Sequence, residues 1–334
     1  MFANIQMLRA YAAILVVCYH MAEQYPLAGG RFQIFTDFAA WGYAGVDVFF
    51  VISGFIMAHT SLGKPRTFGN ARIFLKHRLI RIYLGYWPFF IVSLLLMREM
   101  HPGQLAKTNF LASFFLTSNN LNELLLPVTW SLTYELYYYL LVFASFIFAE
   151  KVVRYLVQFA LFIAIFRVFF FSIDTVYTKF FFADFLVEFL AGYVLYLHHK
   201  RLNRRWMFPV TALACVALFR VGVMQHATNN EIRVFTFGFS ALCLVATFVT
   251  LEQCRLFKAN WLLVSVGDAS YTLYLSHLAF AALFYSLGVR TFLAHQFRLV
   301  SEFGFFAYIA FIIAFSVFVY QKFELPIYRK AISA

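Results

Sequence analysis

The sequence predicts an all-α integral membrane protein, a polytopic bundle of about ten transmembrane helices with both termini cytoplasmic. Three observations carry that prediction. First, 63% of the 334 residues are hydrophobic, only 13% are charged and mean hydropathy is +0.76, whereas a soluble domain is about 45–50% apolar and about 25% charged. Second, apolar runs near the ~20 residues needed to cross a bilayer recur along the whole chain. Third, the basic residues are unevenly divided between the connections on the two sides. A soluble enzyme, a secreted disulfide scaffold, a disordered tail and a collagen are all excluded.

The expected spans run in order. The first, 5–22, begins almost at Met1. No small-x-small cleavage site follows it, so it is expected to be retained rather than removed as a signal peptide. It carries Arg9 and His20. The second, 42–60, holds Asp47 and Ser53. The third, 79–97, is entered through a basic segment that ends at Arg78 and Arg81. The longest outer connection, Arg98 to Pro127, contains the apolar run Phe110–Leu116, too short to span and either re-entrant or lying on the surface. The fourth span, 128–149, opens on Trp130 and Ser131 and holds Glu135. The fifth, 153–172, and the seventh, 207–224, each contain one arginine, Arg167 and Arg220. The sixth, 181–199, is interrupted by Asp184 and Glu188. The eighth is 232–251. The ninth, 267–289, carries Tyr271, Tyr274 and His277, and the tenth is 303–321. So little chain remains for a soluble domain that residues 1–334 are expected to form one membrane domain.

The net charge of +12 comes from 27 Lys+Arg against 15 Asp+Glu. In a soluble chain it would suggest nucleic acid; in a membrane protein it reads as topology, and no nucleic-acid partner is expected. With the N-terminus inside, 17 of the 27 basic residues fall on cytoplasmic segments. These include Lys64, Arg66, Arg72, Lys76, Arg78, Arg81, Lys200, Arg201, Arg204 and Arg205. Seven (Arg31, Arg98, Lys107, Lys179, Arg233, Arg290, Arg298) fall on the other side, the bias of the positive-inside rule. The four cysteines, Cys18, Cys215, Cys243 and Cys254, show no C-x-x-C pairing. They are read as buried small hydrophobes rather than a metal site or a disulfide framework, and no metal is expected.

Ionisable residues within the hydrocarbon are costly and therefore functional candidates: Arg9, His20, Asp47, Glu135, Asp184, Glu188 and His277. Arg9 and His20 are eleven residues apart, which returns to within about 20° of the same helix face and separates them by about 16 Å along the axis. Each also has a structural reading, with Arg9 snorkelling to the headgroups and His20 in the outer interface. Ser131 and Glu135 share a helix face. Glu135 is expected near the depth of His20, where a carboxylate would fix the imidazole's tautomer and equip it as a general base; a structural interhelical bond is the alternative. Arg78 and Arg81, three residues apart at the cytoplasmic mouth, would suit a polyphosphate or simply anchor the helix. For His277, a cavity-lining and a core role both stay open.

Six segments, in order, together resemble the acyltransferase 3 family of bacterial membrane O-acyltransferases. The family's Arg-x10-His motif is matched by Arg9 and His20. Its Asp-x-Phe-Phe-x-x-Ser-Gly-Phe segment is matched by Asp47, Phe49, Phe50, Ser53, Gly54 and Phe55. Arg-x-x-Arg is matched by Arg78 and Arg81, and Trp-Ser-Leu-x-x-Glu by Trp130, Ser131, Leu132 and Glu135. The stretch from Ser270 to His277 resembles Ser-Tyr-x-x-Tyr-Leu-x-His, and Glu324-Leu325-Pro326 resembles the Glu-x-Pro ending. The opening Asn4-Ile5-Gln6-Met7-Leu8-Arg9 departs from the common Leu-Asp-Gly-Leu-Arg and is closer to the exopolysaccharide-modifying subgroup. No counterpart of the SGNH-type hydrolase-like domain that some members append is expected.

The resemblance implies a multi-pass protein of the bacterial inner membrane. It implies transfer of an acyl group, usually acetyl, from cytoplasmic acetyl-CoA to a hydroxyl of an exopolysaccharide or its lipid-linked precursor. His20 would be the base or a transient acyl carrier. Glu135 would orient it or share its proton, and Arg9 would stabilise negative charge on donor or tetrahedral intermediate. Arg78 and Arg81 would hold the CoA phosphates. Asp47, Ser53, Trp130, Ser131, Tyr271, Tyr274 and His277 would line the cavity or the acceptor site. Two other classes stay open. One is a transporter of lipid-linked sugars or acyl compounds, since buried ionisable groups also serve proton relays. The other is a scaffold with polysaccharide-assembly proteins as partners.

Overall fold

The structure is a computed structural model that describes residues 2–100, 102–171, 180–227 and 230–333. Lys179, expected among the outer basic residues, lies outside them. The described residues are helical and contain no strand. A helix stands at each expected span: α1 (Ala3–Ala22), α2 (Gly45–Ser61), α3 (Phe68–Met100), α4 (Trp130–Ser145), α5 (Glu150–Phe170), α6 (Phe185–His198), α7 (Met207–Met224), α8 (Phe239–Gln253), α9 (Ser270–Ser286) and α10 (Arg298–Val319). Among the described residues, six helical runs are long and apolar enough to cross a membrane, those containing α1, α2, α3, α7, α8 and α10. Helices α4, α6 and α9 have 16, 14 and 17 residues, short of a full crossing. Each adjoins a further turn or helix: Pro127–Thr129 before α4, His199–Leu202 after α6 and Trp261–Asp268 before α9.

The chain divides into two compact units, the first comprising Met1–Arg9, Val46–Arg78 and Tyr134–Val264, the second Ala10–Gly45, Leu79–Thr133 and Ser265–Ala334.

In the first unit, α1 starts where it does because Glu252 of α8 caps it. Its carboxylate accepts from the Ala3 and Asn4 backbone N–H groups at 3.0 and 2.9 Å, satisfying two of the four donors that a helix N-terminus leaves open. Helices α2 and α6 cross at glycines. A Cβ on Gly54 would lie 1.9 Å from the Phe189 carbonyl oxygen, and one on Gly192 would lie 2.0 Å from that of Val51. Small residues let membrane helices approach to backbone contact, and this is the physical content of the glycine in the Ser-Gly-Phe segment. Helix α5 is tied to the start of α6 by an ion pair between Arg167 and Asp184, with Arg167 also donating to the Phe182 carbonyl at 2.7 Å. The charge that interrupts span five is thus neutralised by one that interrupts span six. Helices α7 and α8 meet through Thr247 and Thr211 hydroxyls at 2.8 Å.

In the second unit, the segment before α2 folds back on α1, where Gly42 and Gly45 leave no room for a Cβ against the carbonyls of Leu15 and Ala12. Pro88 lies inside α3 and removes that helix's bond to the carbonyl four residues earlier. One turn away, Gly85 admits the Tyr271 ring, which a Cβ would approach to 2.5 Å. The apolar run of the long connection between α3 and α4 is a short helix, Phe110–Phe115, capped at its start by Asn109. Its last carbonyls accept from three α3 side chains: Tyr83 OH to Phe115 at 2.9 Å, Tyr86 OH to Ser113 at 2.7 Å and Trp87 Nε1 to Phe114 at 3.3 Å. The segment after α1 is strapped to α10 by Glu302, which accepts from the buried Tyr25 hydroxyl and from the Arg31 backbone N–H.

The cysteines depart from expectation. All four are free and half-buried rather than buried; Cys18, Cys215 and Cys243 lie in α1, α7 and α8, and Cys254 in the turn that follows α8.

Candidate functional site

Two groups of expected site residues form, one in each unit.

In the second unit, His20 lies in the last turn of α1, partly exposed, and His277 lies in the middle of α9, fully buried. Their rings meet, with His20 Nδ1 and His277 Nε2 3.2 Å apart and the ring planes tilted by 55°. Each Nδ1 also faces a backbone carbonyl one turn earlier in its own helix, Val16 at 2.9 Å and Leu273 at 3.3 Å. The Tyr19 ring edge packs on His20 at 5.0 Å between centroids, and Tyr274 borders His277. The Tyr274 hydroxyl donates to the Val128 carbonyl at 2.7 Å and lies 2.9 Å from Ser131 Oγ, so α9 is held to the first turn of α4. Tyr271 donates to the Ile82 carbonyl of α3 at 2.8 Å. Trp130 is the first residue of α4 and partly exposed. Of the expected residues, His20, His277, Tyr274 and Ser131 therefore form one connected neighbourhood.

In the first unit, Glu135 is the centre. One of its oxygens accepts from Ser53 Oγ at 3.2 Å and from Tyr139 OH at 2.5 Å. The Arg78 guanidinium stands over the Tyr139 ring at 5.8 Å and donates to Thr60 Oγ1 at 2.8 Å. A residue expected at the donor mouth and a residue expected in the chemistry thus share the Tyr139 side chain. Arg81, three residues further along α3, falls in the second unit and is also partly buried. Arg9, also in this unit, bonds to Gln6 at 3.1 Å.

Asp47, expected to line the cavity or the acceptor site, has its side chain fully buried in an ion pair with Arg233, whose Nη2 reaches Asp47 Oδ2 at 2.8 Å and whose Nε lies 3.0 Å from Oδ1. Arg233 was counted among the outer-side basic residues. Its place is set instead by this buried counter-ion, because an unpaired carboxylate in an apolar interior is far costlier than a paired one. Glu188, 1% exposed, has no hydrogen-bond partner for either oxygen among the described residues. It packs on Gly238 so closely that a Cβ there would come within 2.7 Å of Oε1. Gly238 ends the π-helical turn Val234–Gly238, and single π turns are frequent at functional positions.

Sequence reasoning missed Tyr139, although it sits four residues beyond Glu135 on the same helix face. It also missed Thr272, which donates to the buried Glu324 at 2.5 Å. Glu324 was read only as part of a terminal motif. Among the described residues, no group of three or more His, Cys, Asp or Glu could hold a metal ion.

No curated protein and no solved structure matches the chain. A family model described as an acyltransferase domain, acyltransferase 3, matches residues 2–321. That match covers nearly all of the chain and every motif from Arg9 to His277, and the described helices include six fit to cross a bilayer. The chain belongs to the acyltransferase 3 family and is a multi-pass membrane acyltransferase.

Proposed function

We propose that the protein transfers an acetyl group from cytoplasmic acetyl-CoA to a hydroxyl of an exported polysaccharide sugar or its lipid-linked precursor. In this reading it works in the bacterial inner membrane. The observation that carries the reading is His20. It lies within the family match, is half-buried, and has its Nδ1 3.2 Å from a buried second imidazole.

In the proposed reaction the acceptor hydroxyl gives its proton to His20, its oxygen attacks the thioester carbonyl and the carbon–sulfur bond breaks. The proton ends on the CoA sulfur. A variant route has His20 take the acyl group first and pass it to the hydroxyl. Glu135, with Ser53 and Tyr139 on one oxygen, shares the proton traffic, and Arg9 stabilises the developing negative charge. Arg78 and Arg81 hold the donor phosphates, for which a planar guanidinium is the suited group. Trp130, Ser131, Tyr271 and Tyr274 shape the acceptor side, and polysaccharide-assembly proteins are the natural partners.

Purified protein, acetyl-labelled acetyl-CoA and surface polysaccharide from the source cells test the proposal. Label should enter the glycan, and His20→Ala should abolish incorporation. Full incorporation by His20→Ala ends the assignment. A transporter is the second reading, favoured by one observation: the buried Asp47, Arg233 and Glu188 cluster is of the type that carries protons in pumps. Movement of substrate across vesicles without labelling of the glycan would decide for it.

A further inference from the structure

We propose that His277 is a positioning residue for His20: it holds the neutral His20 ring with its hydrogen on Nδ1, so that Nε2 is the atom presented to the acceptor hydroxyl. The inference rests on the acyl-transfer reading for its catalytic meaning, and on atoms within one unit for its geometry.

The hydrogens follow from the partners. A carbonyl oxygen only accepts. His277 Nδ1 faces the Leu273 carbonyl at 3.3 Å, so it carries hydrogen, and the neutral ring then has a bare Nε2. His20 Nδ1 faces the Val16 carbonyl at 2.9 Å and carries hydrogen for the same reason. The bare Nε2 of His277 lies 3.2 Å from that Nδ1–H and accepts it. The opposite assignment sets two ring lone pairs against two carbonyl oxygens.

Val16 alone is a poor anchor, because its carbonyl already accepts the helix's own bond from the His20 backbone N–H. Among the described residues, His277 supplies an acceptor with no competing donor. It is 0% exposed, so water does not take its place. During the reaction the acceptor proton arrives on His20 Nε2, Nδ1–H stays shared with His277, and the Nε2 proton leaves to the CoA sulfur as the carbon–sulfur bond breaks.

The test has two readouts on the full-length protein. Solid-state 15N NMR with labelled histidine, at about pH 8 where an ordinary histidine is neutral, reads which ring nitrogen of His20 bears hydrogen. The His20 signals are assigned by their loss in His20→Asn. The expected result is hydrogen on Nδ1 in the wild type and a mixture of tautomers in His277→Leu. In the acyl-transfer assay, His277→Leu should lower kcat at least about tenfold with KM for acetyl-CoA changed less than about twofold. His277→Gln, whose side-chain oxygen can accept the same hydrogen, should recover most of the rate. Hydrogen on Nε2 of wild-type His20, or equal rates for His277→Leu and wild type, overturns the proposal. A wild type with the assigned tautomer that transfers no acyl group from acyl-CoA upholds the tautomer assignment and overturns the acyl-transfer reading alone.

Discussion

The two compact units solve one problem, polar groups inside an apolar chain, by different means. The first uses full charges in matched pairs. Asp47 is buried against Arg233, and Asp184 against Arg167. The second uses neutral donors. His277 meets His20, Tyr274 meets Ser131 and the Val128 carbonyl, Thr272 serves Glu324, and the Tyr25 hydroxyl and a backbone N–H serve Glu302. Arg298 approaches Glu302 only to 3.9 Å from an exposed position. A matched charge pair is rigid and intolerant, because removing one partner leaves the other uncompensated. A network of hydroxyls and imidazoles can reassign its hydrogens without creating charge, and it is the fitter setting for a proton that must arrive and leave. Glu135 joins the two styles, and Glu188, with no hydrogen-bond partner among the described residues, follows neither. Glu135 is a carboxyl group in the charge-paired unit, yet its bonds come from the hydroxyls of Ser53 and Tyr139.

The largest effect should follow from breaking a pair in the first unit. Arg233→Met leaves Asp47 buried without its counter-ion beside Glu188, and a buried pair broken on one side costs about 3–5 kcal/mol. The double variant Asp47→Asn, Arg233→Met removes both charges and should recover most of that loss. Thermal unfolding of the purified protein in detergent measures both. Equal destabilisation by the single and double variants would mean that packing, not charge matching, holds this region.

A smaller effect is expected from the matching lesion in the second unit. Thr272→Val keeps the side chain's shape but removes the donor to Glu324. A hydrogen bond to a charged group contributes about 1.5–3 kcal/mol, so the loss should fall in that range and below that of Arg233→Met. A loss as large as that of the ion-pair variant would erase the distinction between the units.

What could be read from sequence follows the same division. Apolar runs announce helices because the bilayer demands about 20 consecutive apolar residues, and a helix stands at every expected span. Six runs meet the full length and composition of a crossing; α9, which holds no Asp, Glu, Lys or Arg, falls short by length, at 17 residues. Helix α6 is shorter than its run because Asp184 must stay near Arg167. Motif spacing singles out His20, Glu135 and Arg78, since those groups stand at fixed offsets within one helix. It did not find what partners them from distant segments. Asp47 and Arg233 are separated by 186 residues, and His20 and His277 by 257. No periodicity encodes such pairings. Tyr139 is the instructive miss, because its four-residue offset from Glu135 puts its hydroxyl on the polar face that Ser131 and Glu135 share.

The smallest expected effect lies at an exposed end of the first unit and bounds the value of charge there. Glu150, at the start of α5, accepts from Arg154 at 2.6 Å and from the Gly63 backbone N–H at 2.7 Å. The Arg154 bond first, and then the Gly63 bond, hold its carboxyl below the usual carboxylate range. A depressed folded value means that the ionised form stabilises the fold. That stability is present above the unfolded carboxylate value of about 4.3 and is lost as pH falls through the lower, folded value. Arg154 is nearly half exposed, at 48%, so solvent screens the pair and the gain is no more than about 0.2–1 kcal/mol. Glu150→Gln should therefore change the unfolding midpoint little at neutral pH and flatten its fall under acid. A Glu150→Gln loss comparable to that of Arg233→Met would show that exposure does not discount ion pairs in this unit, and that the matched charges of its interior owe nothing special to burial.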